Sequence, residues 1–294
     1  MLDDPVDGHS VAVISVAYNS IDEIPDMAAS LPDGVTLKLV DNGPDDGLRH
    51  WAEENNVELH VPARNLGFGE GCNQGAKLAT EADFYFFLNP DARLSPDTIE
   101  VFLAAAAKYP DASAFGPEIR KTNGKPVSLR PSTLLPKGHG QKYKSFPAHD
   151  TRVHSLSGAA LFVRRDAFEK IGGFDPQIFM YFEDDDLTLR LARHAGPLWY
   201  IPAAKVTHEG DSSSPRSPEL ARFKGYHYAR SQIYMMRKLG QSLPFLKGLA
   251  SALRRCISVK MFSSHTARSY AIGRVSGAWS MQDTGTKTTT REDR

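Results

Sequence analysis

Between residues 11 and 88 the chain alternates short runs that are apolar on both sides with helix-compatible amphipathic segments, and few folds accommodate that pattern. Val11-Ala12-Val13-Ile14-Ser15-Val16-Ala17 reads as a buried strand, Thr36 to Val40 as a second, Val57 to Val61 as a third and Phe84-Tyr85-Phe86-Phe87-Leu88 as a fourth. Ile21 to Leu31, Asp45 to Asn55 and Gly69 to Thr80 read as the helices between them. A strand without a polar face must be covered on both sides, so the expected fold is α/β, a mostly parallel sheet flanked by helices. Such sheets bind ligands at the carboxyl ends of their strands. Those ends carry Tyr18-Asn19, Asp41-Asn42, Asn65 and Asn89-Pro90-Asp91, all polar and all expected along one edge.

Farther along, Pro96 to Lys108 reads as a helix, Ala112 to Phe115 as a strand, and Lys121 to Asp150, rich in Pro, Gly, Lys and Ser, as a long loop or lid. Strands follow at Gly158 to Val163 and Leu198 to Ile201, with helices at Arg165 to Ile171, Asp184 to His194 and Pro218 to Leu239. The formal charge of zero conceals an asymmetry. From Leu220 to Gln282 there is no Asp or Glu but eleven Lys and Arg, leaving 24 basic against 35 acidic residues elsewhere. These features set the expected organisation: a domain over residues 1–240, a basic helical tail over 241–282, and a polar, disordered end over 283–294. Leu243, Phe245, Leu246, Leu249 and Leu253 fall roughly on one face of the tail, which could lie on an anionic membrane, pack on the body or mediate a homodimer. The basic residues lack a nucleic-acid docking motif. Cys72 and Cys256 form neither a disulfide framework nor a metal-ligand spacing. The N-terminal residues lack the basic and apolar regions of a signal peptide, and no apolar run reaches the roughly 18 residues of a membrane span, so a cytoplasmic location is expected.

Glu183-Asp184-Asp185-Asp186 places four carboxylates where a helix should begin. Acids favour a first helical turn because they face free N–H groups and the positive end of the dipole, and Asp186 with Arg190 has the spacing of an i,i+4 ion pair. Carboxylates this dense also repel one another, which suits a site that handles protons or cations. Asn65-Leu66-Gly67-Phe68-Gly69-Glu70-Gly71-Cys72-Asn73 is a glycine-rich turn entering a helix, a layout that brings backbone N–H groups close to a phosphate or ribose.

Val13 to Ser20, Val40-Asp41-Asn42, Asn65 to Asn73, Leu88 to Ala92, Ser157-Gly158-Ala159, Gly173-Phe174-Asp175 and Tyr181 to Arg190 occur together in an order that resembles the family 2 glycosyltransferases, in particular their bacterial rhamnosyltransferase-like branch. The resemblance spans about Val11 to Gly240. It implies a GT-A fold and inverting transfer of a sugar from a nucleotide diphosphate, with L-rhamnose from dTDP-rhamnose as the first choice and a UDP-hexose as the alternative. The acceptor it implies is a glycan or a polyprenyl-linked hydroxyl in cell-surface polysaccharide synthesis. By resemblance, Asp41 accepts a hydrogen bond from the pyrimidine imide, and Ala17, Tyr18, Asn19, Asn65, Gly67, Asn73, Asn89, Gly158 and Glu183 line the donor and acceptor. Asp184 matches the family's base, although Asp185 stands where relatives carry an apolar residue and leaves that assignment open by one position. The family's metal motif is Asp-x-Asp; here Asn89 takes the first place, leaving Asp91 and His208 as ligands for Mg²⁺ or Mn²⁺. Two other classes compete. A sugar nucleotidyltransferase would carry a basic glycine-rich signature at the first strand, which Tyr18-Asn19-Ser20 does not supply. A non-catalytic binding relative would keep the fold without turnover.

Overall fold

The computed structural model describes residues 8–43, 45–127, 134, 146–208, 210, 217–257 and 264–282. The chain divides into two compact units, Met1–Pro215 and Arg216–Arg294. The first is built on a sheet of strands β1 (Val11–Ala17), β2 (Val35–Asp41), β3 (Glu58–His60), β4 (Phe84–Leu88), β5 (Ala92–Leu94), β6 (Ala114–Arg120), β7 (Thr151–Val153), β8 (Ala160–Arg164) and β9 (Leu198–His208). Their order is β3-β2-β1-β4-β8-β6-β9-β5, with β7 added along β9. Helices α1 (Ile24–Ala29), α2 (Asp46–Glu54), α3 (Phe68–Lys77), α4 (Thr98–Lys108), α5 (Arg165–Lys170) and α6 (Glu183–His194) connect them.

The doubly apolar strands bury both faces. Val11, Val13, Phe84 and Phe86 join one hydrophobic layer, and Ala12, Ile14, Tyr85 and Phe87 the other. Side chains alternate across a strand, so one apolar run serves both layers. β1, β2, β3 and β4 are parallel, whereas β8 runs antiparallel to β4 and β6. The register decides what lies at the edge. Ala17 is opposite Asp41, Ile14 is opposite Phe87, and Leu88 is opposite Ala160. Strands lie about 4.8 Å apart, so the tips of β2, β1, β4 and β8 occupy one edge roughly 15 Å long.

Several expectations are corrected. β5 and β7 are three-residue strands, too short to show a periodicity, and both are held by pairing to β9. β6 runs on to Arg120 and β9 to His208, beyond their apolar cores, because each supplies the other's backbone partners through a register shift at Pro117/Glu118. Of the expected loop from Lys121 to Asp150, residues 121–127 fold back on β6 as a hairpin: Val127 N–H donates to Ile119 O, and Lys121 N–H to Lys125 O. Most of the rest, and the expected disordered end over 283–294, lie outside the described residues.

Among the described residues the second unit consists of α7 (Pro218–Lys238), α8 (Pro244–Cys256) and α9 (His265–Trp279). The family resemblance ends at Gly240 and suggests a boundary there, yet α7 groups with the helices that follow it. Ala229 and Ile233 of α7 are buried with Ala252 of α8 and Ala278 of α9. Arg274 donates to the Gln232 and Ser251 side chains, tying the three helices by hydrogen bonds. The five tail apolar residues do not share a face. Phe245 and Leu249 pack inward, whereas Leu243, Leu246 and Leu253 are exposed. Among the described residues no helix is long and apolar enough to cross a membrane.

Candidate active site

At the tip of β2, Asp41 is 2% exposed, and its carboxylate accepts the N–H groups of Gly43 at 2.9 Å and Asp45 at 3.3 Å. Burial nevertheless raises its pKa above the ordinary carboxylate range, against the lowering effect of those two amides. Each carboxylate oxygen has two lone pairs, so Asp41 retains capacity for a ligand donor. Ala17 stands beside it in register, and Tyr18 and Asn19 follow at the exposed end of β1, Asn19 in the left-handed region at φ 52°. A side-chain carbon added at Gly43 would meet Asn19 Oδ1 at 3.0 Å, so the two tips touch.

Asn42 links these tips to the glycine turn. Its Nδ2 donates to Gly67 O at 2.8 Å and its Oδ1 accepts from Leu66 N at 3.2 Å. Asn65 closes the turn by accepting Gly67 N–H at 2.8 Å. Gly67, at φ 79°, lies against the backbone carbonyl of Phe179, leaving no room for a β-carbon. That contact joins the turn to the segment entering α6. Tyr181 and Phe182 there both have positive φ, 67° and 70°, an arrangement disfavoured for aromatic residues and imposed by the surrounding fold. Asn73 sits elsewhere. Its amide accepts from Phe174 N at 2.8 Å and donates to Phe174 O at 2.9 Å, so it holds the Gly173-Phe174 turn and is not free for substrate.

The acidic run separates by role at α6. Asp186 is 3% exposed and paired with Arg190, whose Nε donates at 2.7 Å and whose Nη1 donates to Ile171 O at 3.0 Å; this pair is structural and buried. Asp184 turns toward the strand tips and accepts Gly158 N–H at 3.0 Å. A β-carbon on Gly158 would come within 3.1 Å of Asp184 Cβ, so the glycine permits this approach. Asp185 donates its backbone N–H to Asp184 Oδ1 at 2.8 Å. Glu183 is half-buried, with its Oε2 shut from solvent and lacking a hydrogen-bond partner. Burial and then the charge of Asp184 raise its pKa from an ordinary 4.5 to about 8, and burial raises Asp184 as well.

This shift has a consequence for stability. Folded protein keeps a proton on Glu183 up to about pH 8, whereas unfolded chain releases it near 4.5, so folding binds a proton between those values. Stability therefore falls as pH rises through that window. Glu183→Gln is expected to flatten this decline, measured as unfolding midpoints in urea below and above the window; a variant with the wild-type pH slope refutes the shift.

Beyond Gly158, Ala159 O accepts Asn89 N–H at 3.0 Å, which brings the chain of contacts to the end of β4. Asn89 Nδ2 lies 3.3 Å from His208 Nε2, and His208 Nε2 lies 3.0 Å from Asp91 Oδ1. Asp91 Oδ2 accepts Gly210 N–H at 3.0 Å. Burial acts to raise the Asp91 pKa, but His208 and the Gly210 amide outweigh it and hold the carboxyl below its ordinary range. Among the described residues no group of three or more His, Cys, Asp and Glu is placed to hold a metal ion. The trio here offers two such side chains and one amide. Carboxylate, imidazole and amide oxygen are all donor types that a divalent cation accepts, and here the three side chains are bonded to one another.

Asp41, Asn42, Gly67, Asp184, Gly158, Asn89, Asp91 and His208 thus follow one another along a single sheet edge. The Phe179 carbonyl, the Tyr181-Phe182 backbone and the Gly210 amide were not foreseen; aromatic residues carry no signal for positive φ, and a backbone amide carries none at all.

The parallel strands β1 to β4 set acids at their carboxyl ends, where such sheets bind ligands, and residues 12–172 match the family described as glycosyl transferase family 2. The chain belongs to that family and is a glycosyltransferase. It is 32% identical over 256 residues to the N-acetylglucosaminyl-diphospho-decaprenol L-rhamnosyltransferase of Mycobacterium tuberculosis, an alignment covering 76% of this chain and 83% of that one. Rhamnosyltransferase WbbL of Escherichia coli is 28% identical over 159 residues, 48% of this chain and 60% of that one. Among solved structures, S. aureus TarS 1-349 superposes with a TM-score of 0.55 at 16% identity over 92% of this chain and 90% of that one. GalNAc-T7, solved with UDP, GalNAc and Mn²⁺, gives 0.54 at 16% identity over 76% of this chain, which spans about half of it. These likenesses confirm the GT-A fold.

Proposed function

We propose that the protein is an inverting transferase that moves L-rhamnose from dTDP-rhamnose to a hydroxyl of a polyprenyl-linked glycan in cell-surface polysaccharide synthesis, at the cytoplasmic side of the membrane. The continuous contacts from Asp41 through Gly67 and Asp184 to Asp91 carry this reading, because they align a nucleoside acceptor, a cation cradle and a base along one edge. Similarity to the mycobacterial rhamnosyltransferase supports the sugar and the lipid-linked acceptor.

In this mechanism Asp41, with Ala17, Tyr18 and Asn19 beside it, accepts the imide N–H of thymine, a donor that cytosine lacks. Asn65 and Gly67 flank the nucleotide, while Asn89, Asp91 and His208 would hold Mg²⁺ or Mn²⁺. Such a cation, when bound, neutralises charge on the departing diphosphate. Asp184 takes the proton of the acceptor hydroxyl as its oxygen bonds to C1 and the C1–O bond to dTDP breaks. Gly158 N–H orients the Asp184 carboxylate. Glu183, protonated at neutral pH, donates a hydrogen bond to the acceptor.

dTDP-rhamnose with Mn²⁺ is expected to raise the melting temperature by several degrees, since a ligand at about 100 times its Kd adds roughly 2.7 kcal/mol. UDP- and GDP-hexoses should raise it less. Asp41→Asn should weaken dTDP-rhamnose binding by about 1.5–3 kcal/mol, the value of a charge-assisted hydrogen bond. A larger shift with a UDP-hexose would reassign the donor, and absence of transfer with every donor would favour a binding protein.

A further inference from the structure

Helix α8 shows water a stripe that soluble helices ordinarily bury. Leu243, Leu246, Leu253 and Ile257 are 64%, 54%, 50% and 79% exposed, and Ala250 between them is exposed too. Their spacing, i, i+3, i+7, i+10 and i+14, puts all five on one side of the helix over about 21 Å. The opposite side is accounted for: Gly248 sits against Ile233, and Ala252 is buried. Lys247 and Arg254, one heptad apart and both exposed, border the stripe. Around it the sequence from Leu220 to Gln282 holds eleven basic residues and no acid.

We propose that this face of α8 docks on the surface of an anionic lipid bilayer. A helix with an apolar stripe, a basic border and no acids has the build of one that lies in the interface plane, its leucines among acyl chains and its cations among phosphates. Charge selects the bilayer over a second copy of the chain. Two copies of the stripe packed antiparallel would set Lys247 of one copy beside Arg254 of the other, with no carboxylate on these helices to offset them. The stripe is made of residues that take no part in donor binding or transfer, so the proposal stands or falls independently of the donor sugar. It would give the enzyme access to a lipid-linked acceptor by two weak signals together, apolar insertion and electrostatic attraction.

The test is flotation of the full chain with vesicles of phosphatidylcholine alone and of phosphatidylcholine with an equal part of phosphatidylglycerol. Binding is expected only to the anionic vesicles and to weaken with added salt. The double variant Leu246→Glu/Leu253→Glu should bind at least about tenfold more weakly while retaining the wild-type melting temperature, because both side chains already face water. Lys247→Gln/Arg254→Gln should lose the preference for anionic vesicles. Failure of the wild-type chain to float, or flotation of the leucine variant at the wild-type level, overturns the proposal. A dimer in sedimentation that the leucine variant abolishes would assign the stripe to a second copy instead, and overturns it equally.

Discussion

Asp184→Asn is expected to lower kcat by about a hundred- to ten-thousandfold, the range that a positioned general base contributes, with little change in donor affinity. The substitution is nearly isosteric, and the Asn oxygen can still accept Gly158 N–H, so the fold loses only the local bond from Asp185 N–H. What disappears is the capacity to take a proton. Asp185→Asn serves as its control and should retain nearly full activity, because the Asp184 side chain is the one held at the strand tips by Gly158. The pH profile adds a second readout. Burial raises the Asp184 pKa, so the base is lost to protonation at a higher pH than an exposed aspartate, and the acid limb of kcat should move upward accordingly. Steady-state transfer from dTDP-rhamnose, with donor affinity measured separately, checks both statements. Full activity in Asp184→Asn, or its loss in Asp185→Asn alone, would move the base by one residue or remove it from the run.

Gly67→Ala is expected to reduce stability by about 2–5 kcal/mol and to abolish transfer. Two effects add. An alanine at φ 79° occupies the left-handed region at roughly 1–2 kcal/mol, and its methyl group would fall on the Phe179 carbonyl, an overpacking worth a further 1–3 kcal/mol. Relief would push residue 179 away, and with it the Tyr181-Phe182 entry that aims Asp184 at the edge. Chemical denaturation and kcat measured on one preparation test the link. An alanine variant of wild-type stability would show that the turn and the acidic helix are not braced against each other. A destabilised variant with undiminished kcat would show that this brace does not orient the base.

Much of the fold was legible because burial on both faces writes itself as continuous apolarity. Phe84 to Leu88 and Val11 to Ala17 read only as inner strands, and the polar residues at their ends mark the edge. β5 and β7 were not legible, since three residues hold no period and their pairing with β9 is a long-range contact. The extension of β9 to His208 escaped for the same reason: Lys205, Thr207 and His208 are polar, and the partner strand, not their own composition, keeps them extended. The expected boundary at residue 240 follows the family resemblance, which ends at Gly240, whereas packing groups α7 with α8 and α9.

The sequence by itself determined that acids would gather at helix α6 and polar residues at the strand tips, because residue order sets which side chains share a strand end or a helical turn. Only the tertiary structure decided their separate uses. Asp184 meets Gly158, Asp186 meets Arg190, Asn73 is taken by the Phe174 turn, and Asp91 meets His208 across 117 positions of chain. The physical reason is that a carboxylate's proton affinity and partners depend on the solvent it has lost and the donors it has gained, and both come from segments distant in sequence.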